Sequence, residues 1–294
     1  MNILKYKNLF LIIAGLLVVG SIAVICIAKI NPSIEFTGGT LIEYTFDQAP
    51  VAADVAATLA PITGEAPRVQ SLGESSVVVR TAEADEATIQ KMTEALTAKD
   101  SSVKLARSST IGPSLGKELK KKAVIALIVT IILIILYVAF AFRRVSKPIA
   151  SWKYGIVVII TLLHDVVIPF AIVLLLGREF DTLMVVGLLS ILGLSVNDTI
   201  VVFDRIRENL QIAHSDKVHH HFDTIVGESL SQTIRRSLVT STSIILVTLI
   251  LAFFGPEATR TLALILALGT VFGTYSSIFV ASPLLVLWEK GSRN

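Results

Sequence analysis

The chain has 294 residues, of which 53% are hydrophobic and 17% charged, with a mean hydropathy of +0.74; a water-soluble fold of this size has too little interior to hide so much apolar surface. The balance of 26 Lys and Arg against 23 Asp and Glu leaves +3, and these charges fall in blocks between apolar runs. That is the pattern of a multi-spanning membrane protein with basic cytoplasmic loops, not of a nucleic-acid-binding surface. Cys26, the single cysteine, lies within an apolar run and so excludes an intrachain disulfide or a Cys-rich metal site.

Lys5 and Lys7 precede an uncharged run from Leu9 to Ala28, about the 20 residues that cross a bilayer. Ile25 to Ala28 is too bulky for a signal-peptide cleavage site, so residues 1–28 are read as a cytoplasmic amino terminus and a retained first span. Residues 29–122 then have the composition of a soluble domain. Thr40 to Phe46 alternates like a strand, Val51 to Leu59 is Ala-rich and helix-like, and Pro67 to Gln70 with Val77 to Arg80 reads as a hairpin around Gly73. Ile89, Met92 and Leu96 stand at helical spacing within Glu83 to Lys99, and Val103 to Arg107 is a short closing strand. The order β-α-β-β-α-β predicts a small α+β, ferredoxin-like domain between the first and second spans. It holds neither His nor Cys and no carboxylates at catalytic spacing, so it is read as an interaction module.

Ile111 to Lys122 reads as a linker punctuated by Pro and Gly, with a basic helix start following. Five further spans follow in residues 123–294, over about 123–142, 156–176, 182–203, 237–254 and 261–287, separated by alternately basic and short turns. The result is an α-helical membrane protein with six transmembrane helices. Arg143, Arg144, Lys147 and Lys153 mark one loop as cytoplasmic, and Asp204 to Arg236 is read as a second, longer polar loop on that side. Both termini are then cytoplasmic and the small domain lies outside. Lys120, Lys121 and Lys122 run against the rule, which long translocated domains tolerate.

The chemistry concentrates in the fourth span. Asp198 follows an uncharged run from Thr182, and a carboxylate at such depth costs about 2.5–3.5 kcal/mol on insertion scales. On a helical wheel Gly187, Ser190, Ser195, Asn197 and Asp198 share a sector, while Val185, Leu189, Leu192, Val196 and Ile200 take the other, read as facing lipid. Asn197 serves either as interhelical glue or as part of an ion path. Arg236 opens the fifth span, aligned along one face with Thr240 and Ser243, at a depth that lets it pair with Asp198. Asp204 to Glu208 is the solvated helix exit. His164 and Asp165 sit well inside the third span, before Pro169; a titratable pair there suits a proton relay, and a His hydrogen-bonding within the bundle is the alternative. Gly187, Gly193, Gly269 and Gly273 are candidates for close helix packing, the last two continuing to Ser277 at four-residue intervals, which lets helices slide or rock. His219 to His221 form a run with His214, but no second ligand cluster supports a metal site. No Walker A pattern, dinucleotide fingerprint or nucleophile elbow occurs, so no cofactor and no enzymatic activity are expected.

Ser195 to Asn209, SVNDTIVVFDRIREN, closely resembles the fourth-span motif of the SecF family, membrane subunits of the bacterial SecD–SecF protein-export complex. Phe36 to Leu41 (FTGGTL), Ile111 to Leu119 (IGPSLGKEL), His164-Asp165 and Gln232 to Ser237 (QTIRRS) resemble that family in the same order. Glu35 stands where the family usually has Asp, and Ser237-Leu-Val replaces a commoner Thr-Ile-Asn. The resemblance implies a subunit related to the RND superfamily that works with SecD beside the SecYEG channel. It would use the proton motive force to assist late steps of preprotein export, with Asp198 and Arg236 as proton-pathway residues. One charge falling through 100 mV releases about 2.3 kcal/mol, enough to bias a two-state domain. Two other readings stay open: a stand-alone RND-like exporter of small molecules or lipids, which the single six-span half disfavours, and a structural scaffold.

Overall fold

The computed structural model describes residues 3–28, 30–48, 50–73, 75–141, 151–215 and 221–291, and the chain divides into two compact units, Met1–Asn31 with Ala126–Asn294, and Pro32–Ile125. Helix α1 spans Lys7–Ile27 in the first unit.

The second unit begins with a single turn, α2 (Ile34–Thr37), and continues as β1 (Gly39–Thr45), α3 (Ala52–Thr63), β2 (Arg68–Leu72), β3 (Ser76–Thr81), α4 (Glu86–Thr97) and β4 (Lys104–Ile111). All pairings are antiparallel, in the order β2-β3-β1-β4, the split βαββαβ arrangement. Period-two alternation places Ile42 and Tyr44 of β1 and Val77 and Val79 of β3 on one face, with Ile42↔Val79 and Tyr44↔Val77 in register. Val55 and Leu59 of α3 and Ile89, Met92 and Leu96 of α4 close this core. Asp85 caps α4 by accepting from the Thr88 amide at 2.9 Å. Strand β4 runs further than the Val103–Arg107 expected. Its Ser-Ser-Thr tail conceals it in the sequence, yet it pairs along all of β1, from Thr45↔Lys104 to Gly39↔Ile111.

The helix start expected within the Ile111–Lys122 linker comes early, so that the linker is helical from Pro113. Pro113, whose fixed φ suits a first helical position, opens α5 (Pro113–Ala141) directly after β4. The first turn of α5 meets the entry to β1 closely: a Cβ on Gly116 would stand 2.8 Å from the Gly38 nitrogen, and one on Gly38 2.8 Å from the Pro113 Cα. Gly38 and Gly39 adopt φ of +76° and +127°, open to glycine alone at little cost.

The membrane unit continues with α6 (Ser151–Leu175), α7 (Thr182–Ser215), α8 (Phe222–Phe254), α9 (Glu257–Ser276), a π-helical turn (Ser277–Ala281) and α10 (Ser282–Gly291). Among the described residues, six helices are long and apolar enough to cross a membrane, the last formed by α9, the π turn and α10 together. The Asp204–Arg236 segment, expected as a loop, is instead the extension of α7 to Ser215 and the first turns of α8. Its charges line the outside of an amphipathic hairpin. Phe203, Ile206, Phe222, Ile225, Val226 and Leu230 bury its inside, while Arg205 pairs with Glu208 at 2.6 Å and Arg207 with Asp204. Asn209 donates to Ser229 Oγ at 2.8 Å and to Gln232 Oε1 at 2.9 Å, tying the two helices together. Arg143, Arg144 and Lys147, and His219 and His220 of the histidine run, lie outside the described residues.

Along the later turns of α8 polarity is reversed relative to a soluble core. From Thr233 on, the buried positions of α8 are Thr233, Ser237, Ser241 and Thr248, whereas Leu238, Val239, Leu246, Val247 and Ile250 face outward. In a lipid solvent the apolar side chains need no burial, and the hydroxyls find partners only among helices.

Candidate functional site

Helix α7 is held against α9 by a ladder with a fixed offset. Ile265 Cγ2 occupies the space a Cβ on Gly187 would need, at 2.3 Å, and Ile191 fills the corresponding space at Gly269, its Cγ1 at 2.2 Å from the ideal Cβ position. Ser195 stands against Gly273 at 3.2 Å, and Thr199 Oγ1 shares a hydrogen bond of 3.0 Å with Ser277 Oγ, 78 residues on, as in each earlier rung. This close approach brings the polar groups of α9 within reach of the carboxylates on α6 and α7.

Asp198 of α7 is half-buried. Its Oδ2 accepts from Ser241 Oγ of α8 at 3.2 Å and from Thr274 Oγ1 of α9 at 3.3 Å. Thr274 lies 2.6 Å from Ser241 Oγ and 2.8 Å from the Thr270 carbonyl, so one hydroxyl proton faces three acceptors. A cleft of about 50 Å³, lined by Leu194, Asn197, Thr240, Gly273 and these groups, opens on the carboxylate, with room for a water or two.

Asp165 of α6 is fully buried and spans three helices. Its Oδ1 pairs with Nδ1 of the neighbouring His164 at 2.8 Å, and its Oδ2 accepts from Ser276 Oγ of α9 at 2.7 Å and from Ser195 Oγ of α7. The His164 ring stacks on Tyr275, centroids 5.8 Å apart, and meets the edge of Phe272 at 6.1 Å. Its Nε2 is buried without a hydrogen-bond partner among the described residues. Tyr275 is itself anchored by donating to the Phe10 carbonyl at 3.3 Å. The two carboxylates thus meet hydroxyls from adjoining turns of α9 in one continuous polar seam.

Several expected placements differ. Arg236 is exposed, and its guanidinium makes no hydrogen bond or ion pair among the described residues; it acts on Asp198 only through space. The α8 group that bonds Asp198 is Ser241, while Thr240, four residues on from Arg236, only lines the cleft beside it. Asn197 is exposed at the mouth of the cleft, and Gly193 faces outward with nothing within 4 Å of an added Cβ. Val185, Leu192 and Val196, assigned to lipid, are buried, because α7 is central and packs on α6, α8 and α9. Sequence reasoning also missed Ser241, Thr274 and Ser276. The four-residue spacing of Ser229, Thr233, Ser237 and Ser241 was the available signal.

A six-span bundle with two hydroxyl-ringed carboxylates inside, carrying a split βαββαβ domain after its first span, defines a multi-pass membrane protein whose intramembrane carboxylates mark its candidate site. Residues 91–291 match the family described as protein export membrane protein SecD/SecF, C-terminal, and residues 23–50 the SecD/SecF GG motif, whose glycines here are Gly38 and Gly39. Protein translocase subunit SecF of Anaerolinea thermophila is 34% identical over 299 residues, 99% of this chain and 95% of that one; its counterpart in Thermobaculum terrenum is 35% identical, covering 98% and 94%. The crystal structure of SecDF from Thermus thermophilus, described as a translocon-associated membrane protein, superposes with a TM-score of 0.87 at 31% identity over 99% of this chain. The chain spans 39% of the length of that SecDF. The chain belongs to the SecF family of protein translocase subunits.

Proposed function

We propose that this chain is a non-enzymatic subunit that, with a SecD partner, couples the proton motive force to late steps of preprotein export through the SecYEG channel, with Asp198 as the group that binds and releases the proton. The observation that carries this reading is the half-buried carboxylate in a membrane helix, opening on a small cleft and ringed by Ser241 and Thr274. When Asp198 is ionised, both hydroxyls donate to it. When it is protonated, its own O–H donates to Ser241, and Thr274 turns to the Thr270 carbonyl, already 2.8 Å away. The ring therefore satisfies either charge state and links the difference to the α8–α9 contact. Asp165, fully enclosed with His164, holds α6, α7 and α9 in place around this ring and sets the electrostatic background of Asp198. Arg236 supplies a positive charge nearby without a direct bond.

The basic residues support a topology with both termini on the cytoplasmic side and the βαββαβ unit outside. The outward-facing Gly193 and Asn197 of α7 suit a neighbouring helix better than lipid, which supports a second membrane subunit of the SecD kind on this side. The test is complementation of a deletion strain by Asp198→Asn, with preprotein export measured while the proton gradient is varied. The variant should be made and inserted normally and lose the gradient-dependent part of export. Full complementation with undiminished gradient dependence would leave only the scaffold reading.

A further inference from the structure

A buried carboxylate that passes ions across a membrane needs an approach from each side, and the cleft at Asp198 supplies one. The buried face of α8 offers the other. Inside a helix a Ser or Thr hydroxyl satisfies itself by donating to a carbonyl three or four residues back. Ser229, Thr233 and Thr248 do so, at 2.7 Å to Ile225, 2.9 Å to Ser229 and 2.8 Å to Ile244. Ser241 does not, because it donates to Asp198. Ser237, one turn before it, does neither: the residue is 1% exposed, and its Oγ has no hydrogen-bond partner among the described residues. A buried hydroxyl left unpaired carries a free-energy penalty, and here it is incurred with carbonyls of the same helix in reach.

We propose that Ser237 is a proton-path residue, its hydroxyl linking the Asp198–Ser241 pair to the N-terminal half of α8. The proposal rests on the reading of Asp198 as the proton-binding group. Residues four apart on a helix have Cβ atoms about 5–6 Å apart, a span that one water bridges with two hydrogen bonds. In one passage Asp198 gives its proton to Ser241 Oγ while the Ser241 proton moves to the bridging water. That water passes a proton to Ser237, and Ser237 gives its own, through water along Thr233 and Ser229, to solvent at the N-terminal end of α8, which takes it up as hydronium. Each hydroxyl and the bridging water end with the protons they began with, and within the protein only the carboxylate changes charge. Three hydroxyl residues, Ser229, Thr233 and Ser237, continue the line away from the cleft at intervals of one turn, so the two approaches to Asp198 are distinct.

Threonine and valine have nearly the same shape and differ by a hydroxyl against a methyl, so Ser237→Thr and Ser237→Val isolate the proton-carrying group from the space it fills. The full chain with its SecD partner is reconstituted in liposomes holding a pH-sensitive dye, and proton uptake is followed after an acid jump, with thermal unfolding in detergent alongside. Ser237→Thr should stay within about twofold of the unmodified protein, while Ser237→Val falls about tenfold, the loss expected for one broken hydrogen-bond step. Both should unfold at the same temperature. Equal uptake by the two variants overturns the proposal. If the valine variant does not fold, Ser237→Ala replaces it and must lie below Ser237→Thr by a similar factor; parity again overturns the proposal. Asp198→Asn runs in parallel. If Asp198→Asn abolishes uptake while Ser237→Val does not, the inference alone fails; if Asp198→Asn conducts normally, the reading of the site fails and takes the inference with it.

Discussion

Exchanging glycine for alanine at Gly269 and at Gly193 should change stability in opposite directions, although both glycines lie in apolar stretches of membrane helices. At Gly269 the new Cβ would stand 2.2 and 2.3 Å from Ile191 Cγ1 and Cδ1. Ordinary carbon–carbon contact begins near 3.5 Å, so the α7–α9 interface must open by about 1.3 Å or Ile191 must leave its rotamer. Overpacking of this kind costs about 1–3 kcal/mol, offset by up to about 1 kcal/mol from the better helix propensity of alanine. The net expectation is a loss of about 1–2 kcal/mol. At Gly193 nothing lies within 4 Å of the new Cβ, so only the propensity term remains, a gain of about 0.5–1 kcal/mol. Equilibrium unfolding of the purified chain in detergent reads both. Combining Gly269→Ala with Ile191→Ala should cost less than the sum of the single changes by more than about 0.5 kcal/mol, since the two side chains compete for one space. Shifts of the same sign at the two glycines, or an additive pair, would refute the close-contact account of the ladder.

Asp165→Asn places an amide donor where three donors converge, and should destabilise the bundle by about 3 kcal/mol or more; an unchanged unfolding midpoint would contradict this. Gly39→Ala adds a side chain at φ +127° with its Cβ 2.6 Å from the Thr81 carbonyl, and strain at such a position costs about 1–3 kcal/mol; hydrogen exchange should show the β1–β3 amides losing protection ahead of the membrane helices. Hydrogen bonding from Thr88 holds the Asp85 carboxyl below its ordinary range. A depressed folded-state value means that the cap contributes above the unfolded carboxylate pKa, near 3.9, and is lost as pH falls through the folded value. Protection of the Thr88 amide should therefore persist at mildly acidic pH and disappear only in stronger acid, while Asp85→Asn keeps protection without that acid step.

The small domain was legible because strands and helices on a shared core have distinct periods. The alternation at Thr40 to Phe46 and the helical spacing of Ile89, Met92 and Leu96 fall in β1 and α4. Residues 204–236 misled because polar composition was read as loop. Ile206, Ile225, Val226 and Leu230 carry the 3.6-residue period that a count of charges conceals. The site was legible as far as its carboxylates. Asp198 and Asp165 stand out because charge is costly in lipid, but serines and threonines are ordinary in membrane helices and do not announce which ones turn inward. The face of α8 was consequently misread by one residue, enough to choose Arg236 over Ser241 as the direct partner. Gly193 and Gly269 were indistinguishable in the sequence, since only the neighbouring helix makes one a contact and the other a vacancy.

The rungs between α7 and α9 are not interchangeable. In the first the bulky tooth is Ile265 on α9 and the notch is Gly187; in the second the tooth is Ile191 on α7 and the notch is Gly269. Advancing one helix by a single turn in one direction would set Ile191 against Ile265, tooth on tooth; in the other it would set Gly187 against Gly269 and leave a gap. The seam is thus keyed: the two helices can pivot about the small residues at Ser195 and Gly273, but a one-turn ratchet is barred. The movement proposed to follow protonation of Asp198 has therefore to leave this pair in register and to be expressed by other helices turning around it.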